Sequence, residues 1–87
     1  MASRKTLKKN IKNITGELFA DCVALSLCEG ADRAALEQLM AETLALNTEY
    51  VTRISHTERG SEKLFYRKLR AEFAEKAAAL GERIVAL

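Results

Sequence analysis

A chain of 87 residues, of which 48% are hydrophobic and 30% are charged, is long enough for one small domain and too hydrophobic to be disordered. Its net charge of +2 is too small to indicate a partner, so the distribution of charge along the chain is more informative. The only two cysteines exclude a disulfide framework. Cys22 and Cys28 are six residues apart on one predicted helix, and their Cα separation of about 9 Å exceeds the roughly 7 Å that a disulfide tolerates.

Two glycines divide the chain into segments. There is no proline, and a helical hydrophobic pattern breaks off at Gly30 and again near Gly60. The resulting segments predict helices over about 3–29, 33–56 and 62–86. Short connections make consecutive helices antiparallel. We therefore predict an all-α fold, an up-down-up bundle of three long helices that forms a single domain over residues 1–87.

The first predicted helix carries one continuous hydrophobic stripe. Its members recur at spacings of three and four residues and so share one face: Leu7, Ile11, Ile14, Leu18, Cys22 and Leu25. Ser3 is a suitable N-cap. We expect Gly30 to follow the last turn as a C′ glycine.

A second hydrophobic line on the same helix consists of Phe19, Val23 and Leu27. The C-terminal half of this helix is therefore apolar almost all round, which is typical of a helix that is buried on more than one side. Each helix of a three-helix monomer has a solvated face. We therefore predict that these three residues mediate self-association, with a homodimer as the favoured assembly.

The second predicted helix begins after Asp32, a suitable N-cap. Its hydrophobic face comprises Leu36, Leu39, Met40, Thr43, Leu44, Leu46, Tyr50, Val51 and Ile54. Asn47 lies within that face, and Asp21 lies beside the stripe of the first helix. Two alternatives stay open for Asp21: a buried hydrogen-bonded group with Asn47 or Tyr50, or exposure at the margin of the core.

The third predicted helix follows Ser61, another suitable N-cap. Its hydrophobic stripe comprises Phe65, Leu69, Phe73, Ala77, Leu80, Ile84 and Leu87, with Tyr66 at its edge. The run of alanines at 77–79 favours helix and allows a neighbour to approach closely.

Charge is unevenly distributed along the chain. Residues 1–16 hold five basic residues and no acid, residues 17–49 hold seven acids and only Arg33, and later residues hold eight basic and five acidic ones. An up-down-up bundle collects the basic residues at one end. The candidate anion-binding residues of this basic pole are Lys5, Lys8, Lys9, Lys12, Arg53, Arg59, Lys63 and Arg67, accompanied by Arg4, Lys68 and Arg70. The alternative function is therefore binding of nucleic acid or of an acidic protein, and the other interpretation of the pole is a solvated surface.

The sequence contains no motif for catalysis, for a cofactor or for a metal. The single histidine, His56, lies near Glu58 but far along the bundle from either thiol, and the two cysteines lack the spacing of a zinc site. We predict a non-enzymatic protein with no cofactor and no metal. The remaining alternative, an enzyme or ligand carrier, would place a site between the helices near Tyr50, His56 and Tyr66.

The basic start of the chain is not followed by a membrane-inserting segment. Glu17 and Asp21 interrupt the apolar stretch, which is too short for a signal sequence or a membrane span. Together with two unpaired thiols, this favours a cytoplasmic protein with no membrane partner. The chain resembles the short helical proteins of bacteria, and that resemblance implies no activity.

Overall fold

A computed structural model of the protein describes residues 4–56 and 62–87 and contains three helices: α1 (Arg4–Ser26), α2 (Arg33–Ser55) and α3 (Glu62–Val85). No strand occurs in these two ranges. The predicted three-helix architecture is confirmed, and each helix boundary agrees with its prediction to within three residues. The predicted caps Ser3 and Ser61 and the predicted breaker Gly60 lie outside the described residues.

Helix α1 ends earlier than predicted. The backbone N–H groups of Leu27 and Cys28 donate to the carbonyls of Ala24 and Leu25, three residues back, and this tighter turn closes the helix. Gly30 has a φ of 77°, in the left-handed region that glycine adopts without strain. Gly30 therefore lies within the turn between α1 and α2. The prediction that it directly follows the last turn of α1 is wrong, because α1 ends at Ser26.

Helices α1 and α2 form an antiparallel hairpin. Asp32 caps α2 as predicted, because its Oδ1 accepts a hydrogen bond of 3.1 Å from the N–H of Ala35. Midway along the hairpin, Thr15 Oγ1 lies 2.9 Å from the carbonyl oxygen of Ile11 and 3.1 Å from Asn47 Oδ1. This contact fixes which turn of α1 lies beside which turn of α2.

Helix α3 runs antiparallel to α2. Arg53 pairs with Glu72 near the end of α2, and Glu42 pairs with Arg83 nearer its start. These two pairs show which residues of α2 and α3 lie at the same level along the bundle axis. By the same pairing, Leu87 lies beside a residue of α2 that is about one turn after the start of that helix. Helix α3 is thus displaced lengthwise, and the bundle measures 51 Å along its longest axis but only 19 × 18 Å across.

Helix α3 consequently runs parallel to α1. The guanidinium of Arg4 donates from Nε to the hydroxyl of Tyr66 over 3.4 Å, which places the starts of these two helices at the same end of the bundle. The predicted up-down-up order is confirmed by this contact together with the two antiparallel pairings.

The core is a single column of side chains along the bundle axis: Leu7, Ile11, Cys22, Leu36, Leu39, Leu46, Tyr50, Ile54, Leu69, Phe73, Leu80 and Ile84. At its centre the rings of Tyr50 and Phe73 meet edge to face, with centroids 5.5 Å apart. Thr43 is also buried, and its hydroxyl donates to the carbonyl of Leu39 over 2.8 Å. No buried side-chain nitrogen or oxygen within the described ranges lacks a hydrogen-bond partner.

The predicted stripe of α1 is wrong at one position. Ile14 is 42% exposed, and its neighbour Thr15 is buried in its place. Thr15 faces α2, where its hydroxyl lies within hydrogen-bond distance of Asn47. Ile14 is rotated from Thr15 by about 100° around the axis of α1 and faces α3. Alanines of α3 face Ile14 there and are too small to cover it.

Two other predicted core positions are wrong, and the open question about Asp21 is resolved. Leu44 and Leu87 are about half exposed, because Leu44 lies on the flank of α2 away from α3 and Leu87 lies beyond the end of α3. Asp21 is exposed, and Asn47 has Thr15 as its partner. Of the two alternatives for Asp21, exposure at the margin of the core is therefore the correct one.

Two leucines of α2 provide a matched test of this core. Leu39 is 3% exposed and Leu44 is 55% exposed. We expect Leu39→Ala to lower the free energy of unfolding by about 2–5 kcal/mol, because it leaves a cavity. Leu44→Ala should change it by about 0.5 kcal/mol or less. Urea unfolding followed by circular dichroism measures both, and equal losses would contradict the packing described.

Candidate interaction surfaces

The outer ridge of α1 consists of Phe19, Val23 and Leu27, the residues predicted to mediate self-association. Successive members are four residues apart, about one helical turn, so they form one line along the helix and into the turn that follows it. Phe19 is half-buried, Val23 is 41% exposed and Leu27 is 83% exposed, whereas the neighbouring Cys22 is fully buried. The outer ridge therefore faces away from the core of its own chain.

The apolar surface beside the outer ridge continues onto α2. Because Thr15 lies beside Asn47 in an antiparallel hairpin, Leu44 of α2 is level with the turn of α1 that carries Phe19. Leu44 is more than half exposed. The hairpin thus presents large apolar side chains on the flank away from α3.

A second apolar surface, the α1–α3 groove, lies on the other side of α1. This groove has a volume of about 480 Å³ and is lined by Leu7, Asn10, Ile11, Ile14, Arg70, Phe73, Ala74 and Ala77. A further shallow depression of about 570 Å³ continues the same face towards the C-terminus of α3. Its walls are Asp21, Ala78, Gly81, Glu82, Ile84, Val85 and Ala86. Together they form an apolar trough between two parallel helices.

The two ends of this trough carry opposite charge. Arg70 lies at the end near the start of α3, and Asp21 and Glu82 line the other end. None of the three forms an ion pair with a described side chain. The trough therefore has a positive end, an apolar middle and a negative end.

Sequence reasoning missed this groove. It assigned Ile14 to the core, although Ile14 is the exposed wall of the groove. The available signal was the set of small residues along α3, at Ala74, Ala77, Ala78 and Gly81. Such residues permit a helix to approach but cannot themselves cover a large neighbour.

The starts of α1 and α3 meet at one end of the bundle, where most candidate residues of the basic pole lie. Its exposed members are Lys5, Lys9, Lys12, Lys63 and Arg67, and Lys8 is half-buried. No carboxylate among the described side chains lies within ion-pair distance of any of these six. The pole thus carries positive charge that no described carboxylate pairs with.

Two predicted members of the pole differ from the rest. Arg53 Nη1 lies 2.9 Å from Glu72 and 3.8 Å from Glu49, and its guanidinium lies 4.8 Å from the centroid of the Tyr50 ring. It is therefore engaged in holding α3 on α2. Arg59 lies outside the described residues.

Helices α2 and α3 are joined by a ladder of charged contacts. Besides the pair of Arg53, Lys76 Nζ lies 3.5 Å from Glu49 Oε2 and 5.2 Å from the centroid of the Tyr50 ring. Arg83 donates two hydrogen bonds of 2.7 Å to the two carboxylate oxygens of Glu42. These charges are matched in pairs, as expected for contacts that set helix register.

The residues of the predicted alternative ligand site have other contacts. Tyr50 is fully buried, and its hydroxyl donates to Glu72 over 3.5 Å. The hydroxyl of Tyr66 accepts from Arg4. His56 is exposed at the end of α2, where its backbone N–H donates to the carbonyls of Thr52 and Arg53. The contacts of Tyr50 and Tyr66 join neighbouring helices, and the backbone contacts of His56 close the end of α2.

The two thiols are free and differ in environment. Burial raises the pKa of Cys22, and the nearby charge of Asp21 raises it further, so this thiol is a poor nucleophile. Cys28 is exposed in the turn after α1. Within residues 4–56 and 62–87, no three histidine, cysteine or acidic side chains are grouped as metal ligands, and no helix is long and apolar enough to cross a membrane.

Comparisons of the chain with protein-family models, with curated proteins and with solved structures yield no match.

The Glu42–Arg83 contact predicts a pH dependence. Its hydrogen bond lowers the pKa of Glu42, so the stability from this contact is complete above the unfolded-state pKa of about 4.3 and is lost as pH falls through the folded-state value. Both side chains are partly exposed, so the effect is small. We expect Arg83→Gln to be less stable than wild type in urea at about pH 7, and the difference to shrink at about pH 3. A difference that grew on acidification would contradict this assignment.

Proposed function

We propose that this protein is a non-enzymatic interaction protein that acts by associating with a second copy of itself through the outer ridge of α1. The observation that carries the proposal is the exposure of Val23 and Leu27 directly beside the fully buried Cys22. Full burial of a large apolar side chain is favourable by about 1.5–3 kcal/mol relative to leaving it exposed to water. Two unpaired thiols suit a reducing compartment, which supports a cytoplasmic location.

The outer ridge alone is a small interface. Association costs an estimated 4–15 kcal/mol in lost translational and rotational freedom, so two or three apolar side chains do not suffice by themselves. The partner must therefore offer an apolar receiving surface of its own. Self-association supplies one, because each copy also carries Leu44 and the α1–α3 groove.

Mass in solution tests this proposal. We expect the wild type to be larger than a monomer by light scattering on a sizing column, and Val23→Glu to be monomeric, because it places a charge in the interface. Ala79→Glu is the control, since Ala79 is exposed on the α2 side of α3. Circular dichroism verifies that each variant is folded. A folded, self-associating Val23→Glu would remove the outer ridge from consideration.

The basic pole supports a second candidate function, binding of nucleic acid or another polyanion. The observation in its favour is the set of six cations that have no carboxylate partner among the described side chains. Uncompensated cations on one surface bind phosphates chiefly by releasing counterions. This function requires neither an apolar interface nor a catalytic residue.

Salt dependence tests the second candidate with a mixed-sequence DNA duplex as probe. Affinity should fall steeply as salt rises, and replacing Lys8, Lys9 and Lys12 by glutamine should reduce the slope of log K against log salt by roughly 0.9 for each lysine that contacts a phosphate. Arg33→Gln, at the opposite end of the bundle, is the control. Tight binding that does not depend on salt would exclude this function.

A further inference from the structure

We infer that the outer ridge of one copy docks into the α1–α3 groove of the next copy, so that the protein assembles head to tail. The inference rests on the proposed self-association and names the surface that receives the outer ridge. It makes the incoming α1 the fourth helix of a bundle whose other three helices belong to the receiving chain. Four-helix bundles of alternating direction pack around a closed apolar core, which the three helices of one chain leave open along the groove.

The two surfaces match in length and shape. The outer ridge runs over nine residues, from Phe19 on α1 to Leu27 in the turn after it, a length of about 12 Å. The walls of the groove run from Leu7 to Ile14 on α1, a rise of about 10 Å. The opposite wall includes Ala74 and other small residues, which allow the backbone of an incoming helix to approach closely. Phe19 and Val23 would then cover the exposed side of Ile14.

Charge complementarity sets the direction of the incoming helix. The outer ridge is preceded by Lys12 on α1 and followed by Glu29 in the turn after α1, and both side chains are exposed. If the incoming α1 runs antiparallel to the α1 and α3 that receive it, its Lys12 approaches the negative end of the trough and its Glu29 approaches Arg70. The opposite direction would place like charges together. Antiparallel docking also aligns helix dipoles favourably and continues the up-down-up order.

The spans of these charged groups also agree. From Lys12 to the end of α1 at Ser26 the helical rise is about 21 Å, Glu29 follows in the turn, and Arg70 and Glu82 are about 18 Å apart along α3. Long lysine, arginine and glutamate side chains bridge the remaining difference. The apolar residues of both surfaces lie between the charged ends, so one placement satisfies both the apolar and the charged contacts.

The arrangement cannot be a closed twofold dimer. Val23 on the outer ridge and Ile14 on the groove are nine residues apart, about 2.5 turns, and therefore lie on opposite faces of α1. When the outer ridge of one copy occupies the groove of a second copy, the first copy still has an empty groove and the second copy still has an exposed outer ridge. Such a heterologous contact adds further copies until a ring closes or a fibre forms. The assembly therefore grows beyond the homodimer that the sequence favours.

A mixing experiment tests the inference on the full-length protein. Val23→Glu removes the ridge but keeps the groove, and Ala74→Glu blocks the groove but keeps the ridge; Ala74 is exposed, so the substitution leaves the core intact. We expect each variant alone to be a folded monomer of 9.7 kDa. Mixed in equal amounts, they should form a complex of twice that mass, because one intact ridge meets one intact groove. Wild type should give a mass that rises with concentration beyond that of a dimer.

The outcomes separate the inference from the proposed function. If Ala74→Glu self-associates like wild type while Val23→Glu is monomeric, the proposed function stands and the groove is not the receiving surface. If both variants are folded monomers but the mixture stays monomeric, the head-to-tail contact is wrong and a twofold interface replaces it. If wild type is a monomer at every concentration, both proposals fail. Ala79→Glu lies on the other side of α3 from the groove and should self-associate like wild type. A monomeric Ala79→Glu would contradict the assignment of the groove, because a charge outside the groove would then disrupt assembly as well.

Discussion

The register between α2 and α3 is the constraint on which the position of α3, and with it the α1–α3 groove, depends. It is set by the buried contact of Tyr50 with Phe73 and reinforced by the charged ladder that ends at Glu42 and Arg83. Because α3 is locked at this level, it stops about one turn short of the hairpin end. The last turn of α1 therefore has α2 but not α3 beside it, whereas the outer ridge is exposed because it faces away from the core. The lengthwise displacement that pairs α2 with α3 thus leaves the last turn of α1 without α3 beside it.

The two flanks of α3 differ in chemistry. Towards α2 it presents lysine, arginine and glutamate side chains that pair across the interface. Towards α1 it presents alanines and one glycine, beginning with Ala74. Small side chains bury little area of their own, so Ile14 remains partly exposed although its helix is packed on both others. A bundle of this size has too few large residues to cover every flank, and the groove forms where they are absent.

Much of this fold was predictable because it depends on local signals. Helical spacing of apolar residues, the cap at Asp32 and the turn at Gly30 are encoded within a few residues and place all three helices. Which apolar residue is covered depends on the size of its neighbour on another helix, and this is why Ile14 and Leu44 were assigned to the core. The uneven distribution of cations along the chain is visible in charge counts. The engagement of Arg53 was not predictable, since it requires the α2–α3 register.

Helix α1 has apolar residues on three of its sides. One face supplies the core with Ile11 and Cys22, the face towards α3 borders the groove, and the face away from the core carries the outer ridge. A helix with apolar residues on three sides needs more neighbours than two partner helices provide. Rotating α1 to bury the outer ridge would expose the core face, so no rearrangement within one chain covers all three. The proposed contact with a second copy would cover the outer ridge, and the groove on the other side of α1 is the surface proposed to receive it.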